Sequence, residues 1–417
     1  MNLLIDWYRQ GRWSQYLLLT ACVAGLLGLL LMARALVALA PVAAVVAALL
    51  NPALRTAVPG WLRNGAVRRA AVLYLLIPLS WWYTDDWAVW RHEMYRQLPL
   101  IGVPLAFALA VPLSARQRFG LGVGFVGGLG LLGLATLGHY LLDPEYGQEL
   151  IRKGQNVPSV TNIFHIHFGI MLALAAFFGA LLSQERAAGR LLRYALLAAA
   201  AVAVVSLHVL AYRTGLLVFY LTLLVSGLLL LVRRPRLAVG LLAAGGLLAA
   251  AAYFGLPSVQ ERLAATRYDV EQFYYRHDIN EFSLARRLAA LQNAAVLVAE
   301  HPWLGVAPAD VRQAMEEQFS WHSFGLQEQN RVMVHNQYLH YLVGAGVVGL
   351  VVWLWLLITP LVQPGLRRNA YVRQFLLVFA AAALADSLLE MQIGFNLFVF
   401  LYGFLVVAAE RHRSAAV

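Results

Sequence analysis

Three side chains of this 417-residue sequence have the types and positions needed for phosphate chemistry beside a membrane. Arg213 interrupts two long apolar runs, Arg287 lies in an amphipathic stretch further along the chain, and His335 directly precedes another apolar run. A guanidinium group holds phosphate oxygens through paired hydrogen bonds. An imidazole that titrates near neutral pH accepts a proton. Together these groups suit a reaction in which a hydroxyl attacks while a diphosphate leaves.

The composition places these residues in a membrane protein. Hydrophobic residues make up 61% of the chain and charged residues 13%, whereas soluble domains have about 45–50% and about 25%. An ordinary soluble enzyme, a disordered chain and a disulfide scaffold are therefore excluded, and the single cysteine, Cys22, can form no internal disulfide. The formal net charge of +11 comes from arginines scattered between apolar runs, which indicates membrane topology rather than nucleic acid binding.

Hydropathy predicts an all-α integral membrane protein with about twelve transmembrane helices. The predicted spans are 16–32, 35–50, 70–84, 98–113, 119–142, 162–182, 192–211, 214–232, 237–254, 336–360, 372–388 and 393–409. Arginines are concentrated in the alternate loops that lie on the same side as both termini, so both termini are predicted to be cytoplasmic. The chain then divides into membrane helices in 1–254, a large outward-facing loop in 255–334 and the last membrane helices in 335–417.

The 255–334 segment is long enough to require helices of its own. Within 283–300 a set of apolar residues recurs at helical spacing and predicts the buried face of one helix: Leu284, Leu288, Leu291, Ala295 and Val298. This stripe directs Arg287 inward and leaves Arg286 in solvent.

Several residues have simpler structural interpretations. Arg213 could reach lipid headgroups, and His335 could serve only to start a helix. His165 and His167 are expected to pack in the core or at the interface, whereas Asp386 and Glu390 could line a cavity. The aromatic residues of 258–277 suit membrane anchoring better than sugar stacking: Tyr268, Phe273, Tyr274 and Tyr275.

Missing motifs restrict the chemistry further. The sequence has no G-x-x-x-x-G-K-[ST] loop, so no nucleotide is expected as a partner. It has no D-x-D or H-E-x-x-H motif, and its outward-facing loop has no compact carboxylate cluster. We therefore expect no metal and no cofactor, with arginines in place of a metal ion to stabilise the departing diphosphate.

The order and spacing of four motifs resemble the O-antigen ligase and Wzy-type polymerase superfamily. They are Tyr212-Arg213-Thr214-Gly215, Arg287-Leu288-x-x-Leu291-x-x-Ala294, His301-Pro302-x-x-Gly305-Val306 and His335-Asn336-Gln337-Tyr338-Leu339. The resemblance covers about 205–350 by motif and the whole chain by topology. Ala307 and Leu291 stand where the family often has a glycine and a tryptophan, and they bear on the subfamily more than on the superfamily.

This resemblance implies a GT-C-like, multi-pass glycosyltransferase of the Gram-negative inner membrane with a periplasmic active site. The donor would be an undecaprenyl-diphosphate-linked glycan, and for a ligase the acceptor would be a sugar hydroxyl of lipid A–core. By correspondence with the family, His335 would deprotonate the acceptor, and Arg213 and Arg287 would hold the diphosphate. Secondary roles fall to Tyr212, Arg286 and Gln337, found beside these motifs. One-step displacement would invert the anomeric centre.

Two other functions remain open from the sequence. An O-antigen polymerase or a protein O-oligosaccharyltransferase would use the same donor with a different acceptor, although a single large outer loop favours the ligase. A lipid-glycan transporter would carry charged residues deep within several spans, whereas most predicted spans here contain none.

Overall fold

The structure is a computed structural model that describes residues 2–414, and these residues form helices and no strands. In chain order the helices are α1 (Asn2–Arg9), α2 (Arg12–Leu30), α3 (Arg34–Leu49), α4 (Leu54–Arg63), α5 (Gly65–Leu79), α6 (Trp87–Arg96), α7 (Pro99–Leu109), α8 (Ala115–Leu142), α9 (Pro144–Arg152), α10 (His165–Leu182), α11 (Arg190–Val209), α12 (Arg213–Leu231), α13 (Pro235–Gly255), α14 (Pro257–Tyr274), α15 (Ser283–Glu300), α16 (Val311–Trp321), α17 (Gln337–Val362), α18 (Ala370–Ala382), α19 (Gln392–Leu401) and α20 (Ala408–Ser414). A π-helical segment, Tyr402–Val407, joins α19 to α20. The all-α fold class is confirmed.

Within residues 2–414, eight helices are long and apolar enough to cross a membrane. They are α2, α8, α10, α11, α12, α13, α17 and the continuous stretch Gln392–Arg411. Helices α3 and α4 form a bent pair with an angle of 117°, which gives up to nine spans if the pair counts as one. Every predicted apolar run contains a helix, but the predicted count of about twelve spans is not confirmed.

Three short helices account for the difference between the twelve predicted spans and these nine. They are α5, α7 and α18, which have 15, 11 and 13 residues. Crossing a hydrocarbon core takes about 20 helical residues. Helix α5 has Pro78 in its last turn and continues as the short 3-10 helix Ser80–Trp82. Helix α7 gives way to extended backbone at Ala110. Hydropathy does not detect such backbone breaks, so it merges a short helix with the apolar residues around it.

Helix α10 forms the centre of the bundle, and α8, α11, α12 and α18 pack around it. Two glycines allow α10 and α12 to approach closely, because a Cβ atom on Gly169 would lie only 3.0 Å from the Cα atom of Gly215. This contact near the start of both helices brings the N-terminus of α10 beside that of α12.

The 255–334 segment contains α14, α15 and α16 and has its own apolar core, in which α15 packs against Met315 and Phe319 of α16. The predicted buried stripe of α15 is wrong. The face that is buried consists of Ala285, Ala289, Ala290, Asn293, Ala294 and Leu297. Small side chains let helices approach closely, so the alanines face the core and Leu284, Leu288 and Leu291 lie at its partly exposed edges.

A break in α17 fastens the 255–334 segment to the bundle. Gly346 has φ 60° inside this helix, and its left-handed backbone is accessible to glycine without strain. The turn after α15 fills the break, since Val306 N donates to Val343 O at 2.8 Å and Val347 N donates to Pro302 O at 2.8 Å. This docking holds the N-terminal part of α17, which His335 precedes, against the 255–334 segment.

Candidate active site

His335 lies immediately before α17 and is paired with a carboxylate. Its Nδ1 is 2.7 Å from Oδ1 of Asp386, which lies in the 383–391 connection after α18. Asn336 caps α17 by accepting a hydrogen bond from Leu339 N at 3.0 Å. The His335 side chain is 28% exposed and that of Asp386 only 6%, so the carboxylate orients the imidazole from the protein side. The second ring nitrogen, Nε2, has no hydrogen bond to a described residue and is free to meet a substrate.

Asp386 is held as an anion. Burial raises the pKa of its carboxyl group, but the hydrogen bond from His335 and the charges of His335 and Arg287 outweigh burial and keep the pKa below its ordinary value. Ser387 N also donates to Oδ1 at 3.0 Å. A carboxylate that accepts from Nδ1–H leaves Nε2 of the imidazole as the proton acceptor, as in histidine–aspartate pairs of hydrolases.

Arg287 projects from α15 toward the same connection. Its Nη1 donates to Ala385 O at 3.2 Å, next to Asp386. Burial and the charges of Arg213 and Arg286 lower the pKa of Arg287, while Asp386 opposes that change. The structure therefore places Arg287 beside the His335–Asp386 pair, although the stripe used to direct it inward was wrong.

Arg286 is not the solvated residue that the sequence predicted. It is half-buried, its Nη1 lies 3.3 Å from Oδ1 of Asn330, and its Nε is buried without a hydrogen-bond partner among the described residues. At about 100° per residue, Arg286 points along the buried alanine face of α15. It supports the 255–334 segment rather than the His335–Asp386 pair.

Arg213 is the first residue of α12 and faces α14. Its Nη1 donates to Oδ2 of Asp269 at 3.2 Å, and the same oxygen accepts from Leu284 N at 3.0 Å. The Nε and Nη2 atoms of Arg213 are buried, and no described residue accepts a hydrogen bond from them. One acid thus satisfies only part of this guanidinium.

Arg262, which the sequence reasoning missed, joins Arg213 on the same side. It lies on α14 and is 3% exposed. One nitrogen donates to Gln155 O, but its Nε and Nη1 have no partner among the described residues. Burial and the neighbouring charge of Arg213 lower the pKa of Arg262 to about 10, against the opposing effect of Asp269. Arg262 and Asp269 are seven residues apart and share a helix face, a spacing that could have indicated the pair.

The two histidines at the start of α10 have different surroundings. His165 is half-buried, and its ring centroid lies 4.3 Å from that of Phe164, as expected for interfacial packing. It also lies near the arginine cluster, where it interacts electrostatically with Arg287, Arg262 and Asp386. His167 is 1% exposed and neither ring nitrogen has a partner among the described residues. It packs so tightly that a Cβ atom on Gly394 would lie 2.8 Å from its Nε2, in agreement with the predicted packing role.

The other two secondary residues hold backbone in place around the cluster. Tyr212 is buried and its hydroxyl donates to Val157 O at 2.9 Å. Gln337 is fully buried, its backbone N donates to Ala383 O at 2.8 Å, and its Oε1 accepts from Leu389 N at 2.8 Å. Gln337 therefore ties both ends of the connection that carries Asp386 to the first turn of α17.

Glu390 belongs to a separate ionic cluster. Arg96 Nη2 donates to Glu390 Oε2 at 2.7 Å, Arg96 Nη1 donates to Leu389 O at 2.8 Å, and His340 Nε2 is 3.1 Å from Glu390 Oε1. Arg96 also pairs with Glu93 on its own helix. These contacts lower the pKa of Glu390 to about 2 in spite of burial, through His340 and Arg96. Glu390 thus anchors the far end of the connection that carries Asp386.

The cluster as a whole has more buried positive charge than the acids beside it neutralise. Arg213, Arg262 and Arg287 face Asp269 and Asp386, and several guanidinium nitrogens lack an acceptor among residues 2–414. Buried unpaired charge is costly, so this arrangement suits an anionic ligand with many oxygens. No group of three or more His, Cys, Asp or Glu side chains within residues 2–414 is arranged to hold a metal ion; metal independence stays a prediction.

The comparison with protein families covers this site. Residues 198–354 match the family model described as O-antigen ligase, a stretch that runs from α11 into α17 and includes the three clustered arginines and His335. No curated protein matches the chain. Members of the matched family are membrane glycosyltransferase-like enzymes that act with lipid-linked glycans and lipid acceptors. With its many apolar helices, the chain is a multi-pass membrane protein that is similar to the O-antigen ligase family over residues 198–354.

Proposed function

We propose that this protein is an O-antigen ligase. It transfers a glycan from undecaprenyl diphosphate to a sugar hydroxyl of lipid A–core. The reaction takes place on the periplasmic face of the Gram-negative inner membrane, with both termini in the cytoplasm. In this assignment 1–254 and 335–417 form the membrane part, and 255–334 is the periplasmic part that closes over the donor.

One observation carries the proposal: partly unpaired, buried guanidinium groups lie beside a His–Asp pair at the ends of membrane helices. A diphosphate supplies the oxygens that Arg213 and Arg262 lack, since arginine forks match phosphate geometry. A membrane-anchored donor delivers that diphosphate close to the lipid surface, where α10 and α12 begin.

The chemistry follows from the positions of these groups. Nε2 of His335 takes the proton of the acceptor hydroxyl while that oxygen bonds to the anomeric carbon of the donor sugar. The bond from this carbon to the diphosphate oxygen breaks, and its electron pair leaves with undecaprenyl diphosphate. Arg213, Arg262 and Arg287 stabilise the developing negative charge. A single displacement of this kind inverts the anomeric centre and requires no metal ion.

The decisive experiment mixes purified protein and lipid-linked glycan with either lipid A–core or a second lipid-linked glycan. We expect glycosylated lipid A–core as the product, in buffer containing EDTA. Elongated lipid-linked glycan as the main product would assign the protein to the polymerases. An activity that EDTA abolishes and magnesium restores would contradict the proposed arginine-based mechanism.

A further inference from the structure

A second site lies at the other end of the helix bundle from the arginine cluster. A partly open cavity of about 830 Å³ is lined by residues of α2, α7, α8, α10 and the α19–α20 stretch. This volume falls within the range of roughly 300–1,000 Å³ that is usual for ligand pockets. The arginine cluster contributes none of the residues that line the cavity.

Helix α10 extends from the arginine cluster to the cavity, so its length indicates the distance between the two sites. His165, its first residue, adjoins the arginine cluster, and Leu182, its last residue, lines the cavity. These ends are roughly 26 Å apart at about 1.5 Å per residue. Helix α18 repeats the arrangement, because Tyr371 near its start lines the cavity and Asp386 follows its end.

The wall of the cavity is long and apolar. On the α19–α20 stretch it extends from Leu397 to Ala409, about 18 Å at 1.5 Å per residue. Half of a bilayer's hydrocarbon core is roughly 15 Å thick. Aromatic and leucine side chains complete the wall, namely Leu26, Leu29, Phe119, Phe125, Phe400 and Phe404. A channel with these dimensions suits a hydrocarbon chain better than a compact polar solute.

Polar residues line the cavity only near the helix ends. Arg116 and Arg118 lie in the first turn of α8, and Arg116 is exposed. The acid among the lining residues, Glu185, accepts a hydrogen bond from the Tyr371 hydroxyl at 3.0 Å. The exposed guanidinium group of Arg116 at the end of an apolar channel complements a phosphate group attached to a hydrocarbon tail.

We propose that this cavity binds an anionic phospholipid of the leaflet opposite the candidate active site. One acyl chain occupies the apolar channel, and the headgroup phosphate lies beside Arg116. The π-helical segment contributes Phe404 and Leu405 to the wall, and π-helical turns frequently accompany functional sites. The polyprenyl tail of the donor is a poorer match, because its diphosphate would bind at the other end of the bundle.

Native mass spectrometry of the purified full chain tests the headgroup contact. The probes are phosphatidylglycerol, which carries a net negative charge, and phosphatidylethanolamine, which does not. We expect the wild-type protein to retain one molecule of phosphatidylglycerol in preference to phosphatidylethanolamine. Arg116→Ala should weaken that retention about fivefold, as expected for one arginine at an anionic lipid surface. Arg55→Ala, an exposed arginine outside the cavity, should leave it unchanged.

A second variant tests the channel itself. Gly25 lines the cavity, and a Cβ atom there would make ordinary contacts, 3.5 Å from Ala40 and 3.6 Å from the Phe400 ring. Gly25→Leu extends a side chain from this position and should abolish retention of the lipid, and the melting temperature of the variant checks that it is folded. The matched control is Gly246→Leu, where no atom lies within 4 Å of the added Cβ. Equal retention of both lipids, unchanged retention in Gly25→Leu, or displacement of the phospholipid by undecaprenyl phosphate would overturn the proposal.

Discussion

Two arginines of this chain are equally buried, at 3% exposure, but differ in what surrounds their guanidinium groups. Arg69 on α5 donates to the carboxylate of Glu410 and to the Tyr402 hydroxyl. The same carboxylate accepts from Ala66 N at 2.6 Å. Arg262 on α14 donates to one backbone carbonyl, and two of its nitrogens have no acceptor within the described part of the chain.

This difference separates a structural arginine from one that we propose to bind a ligand. The Arg69–Glu410 pair joins α5 to α20, and Glu410 and Tyr402 accept hydrogen bonds from the Arg69 guanidinium. Arg262 lies beside another cation, Arg213, and has unused donors. Burial alone therefore does not identify a functional arginine, whereas buried donors without acceptors point to a missing anion.

The largest change in transfer rate is expected at His335, which lies beside the arginine cluster. His335→Ala removes the proton acceptor and should lower the transfer rate by about 10²- to 10⁴-fold. Binding of inorganic diphosphate should be unchanged, since the arginines remain. The rate is measured with lipid-linked glycan and lipid A–core. His277→Ala, an exposed histidine of the 255–334 segment, serves as control, and near-normal transfer by His335→Ala would exclude it as the base.

Folding stability should distinguish the two buried arginines directly. Arg69→Met takes the guanidinium away from a buried carboxylate and should lower the free energy of unfolding by about 3–5 kcal/mol. Arg262→Met relieves repulsion with Arg213 and should not destabilise the protein, but it should weaken diphosphate binding. Thermal unfolding in detergent measures both variants. A larger loss of stability in Arg262→Met than in Arg69→Met would invalidate the distinction.

A substitution at Arg213 tests whether the guanidinium group is needed to donate to two acceptors at once. Arg213→Lys keeps the charge but cannot hold Asp269 and a phosphate oxygen together. A charged hydrogen bond contributes about 1.5–3 kcal/mol, so the affinity for inorganic diphosphate should fall about 10- to 100-fold. Calorimetric titration measures this change. Arg267→Lys is the control, because Arg267 is an exposed arginine on α14, the helix that carries Asp269; equal affinity in both variants would argue against a role for the two-pronged guanidinium of Arg213.

The smallest contrast concerns the neighbouring arginines of α15. Arg287→Ala removes a cation beside Asp386 and should lower the transfer rate at least about tenfold, as loss of one charged contact predicts. Arg286→Ala loses the Asn330 contact and should mainly lower the melting temperature, with transfer close to normal. Both quantities are measured on the same preparations. A reversed order, with transfer more sensitive to Arg286, would move the binding site into the 255–334 core.

Much of the architecture follows from composition and periodicity. Apolar runs predicted where the membrane helices lie, because a long apolar stretch has few alternatives to a helix in lipid. The number of spans did not follow, since the breaks after α5 and α7 depend on local backbone geometry. The buried face of α15 was misjudged because apolar spacing favours leucines, whereas the core selected the smaller alanines.

The site was predictable only in part, for a similar reason. Arg213 and His335 stand out because each interrupts or precedes an apolar run. Arg262 lies within a polar helix where arginines are common, so only the packing of α14 against α12 reveals that it is buried. Asp386 was considered as a cavity residue, but its pairing with His335 depends on the path of the 383–391 connection, which no local pattern specifies.

The break at Gly346 also bears on how the protein is assembled. About 14 Å from its first residue, at 1.5 Å per residue, α17 relies on the Pro302–Val306 turn for hydrogen bonds that a continuous helix would make within itself. Exposed amides in hydrocarbon cost several kcal/mol each. Residues 302–306 are synthesised before α17, so the turn that hydrogen-bonds to the break is already present when α17 is made. We therefore expect insertion of the last membrane helices to depend on folding of the preceding segment.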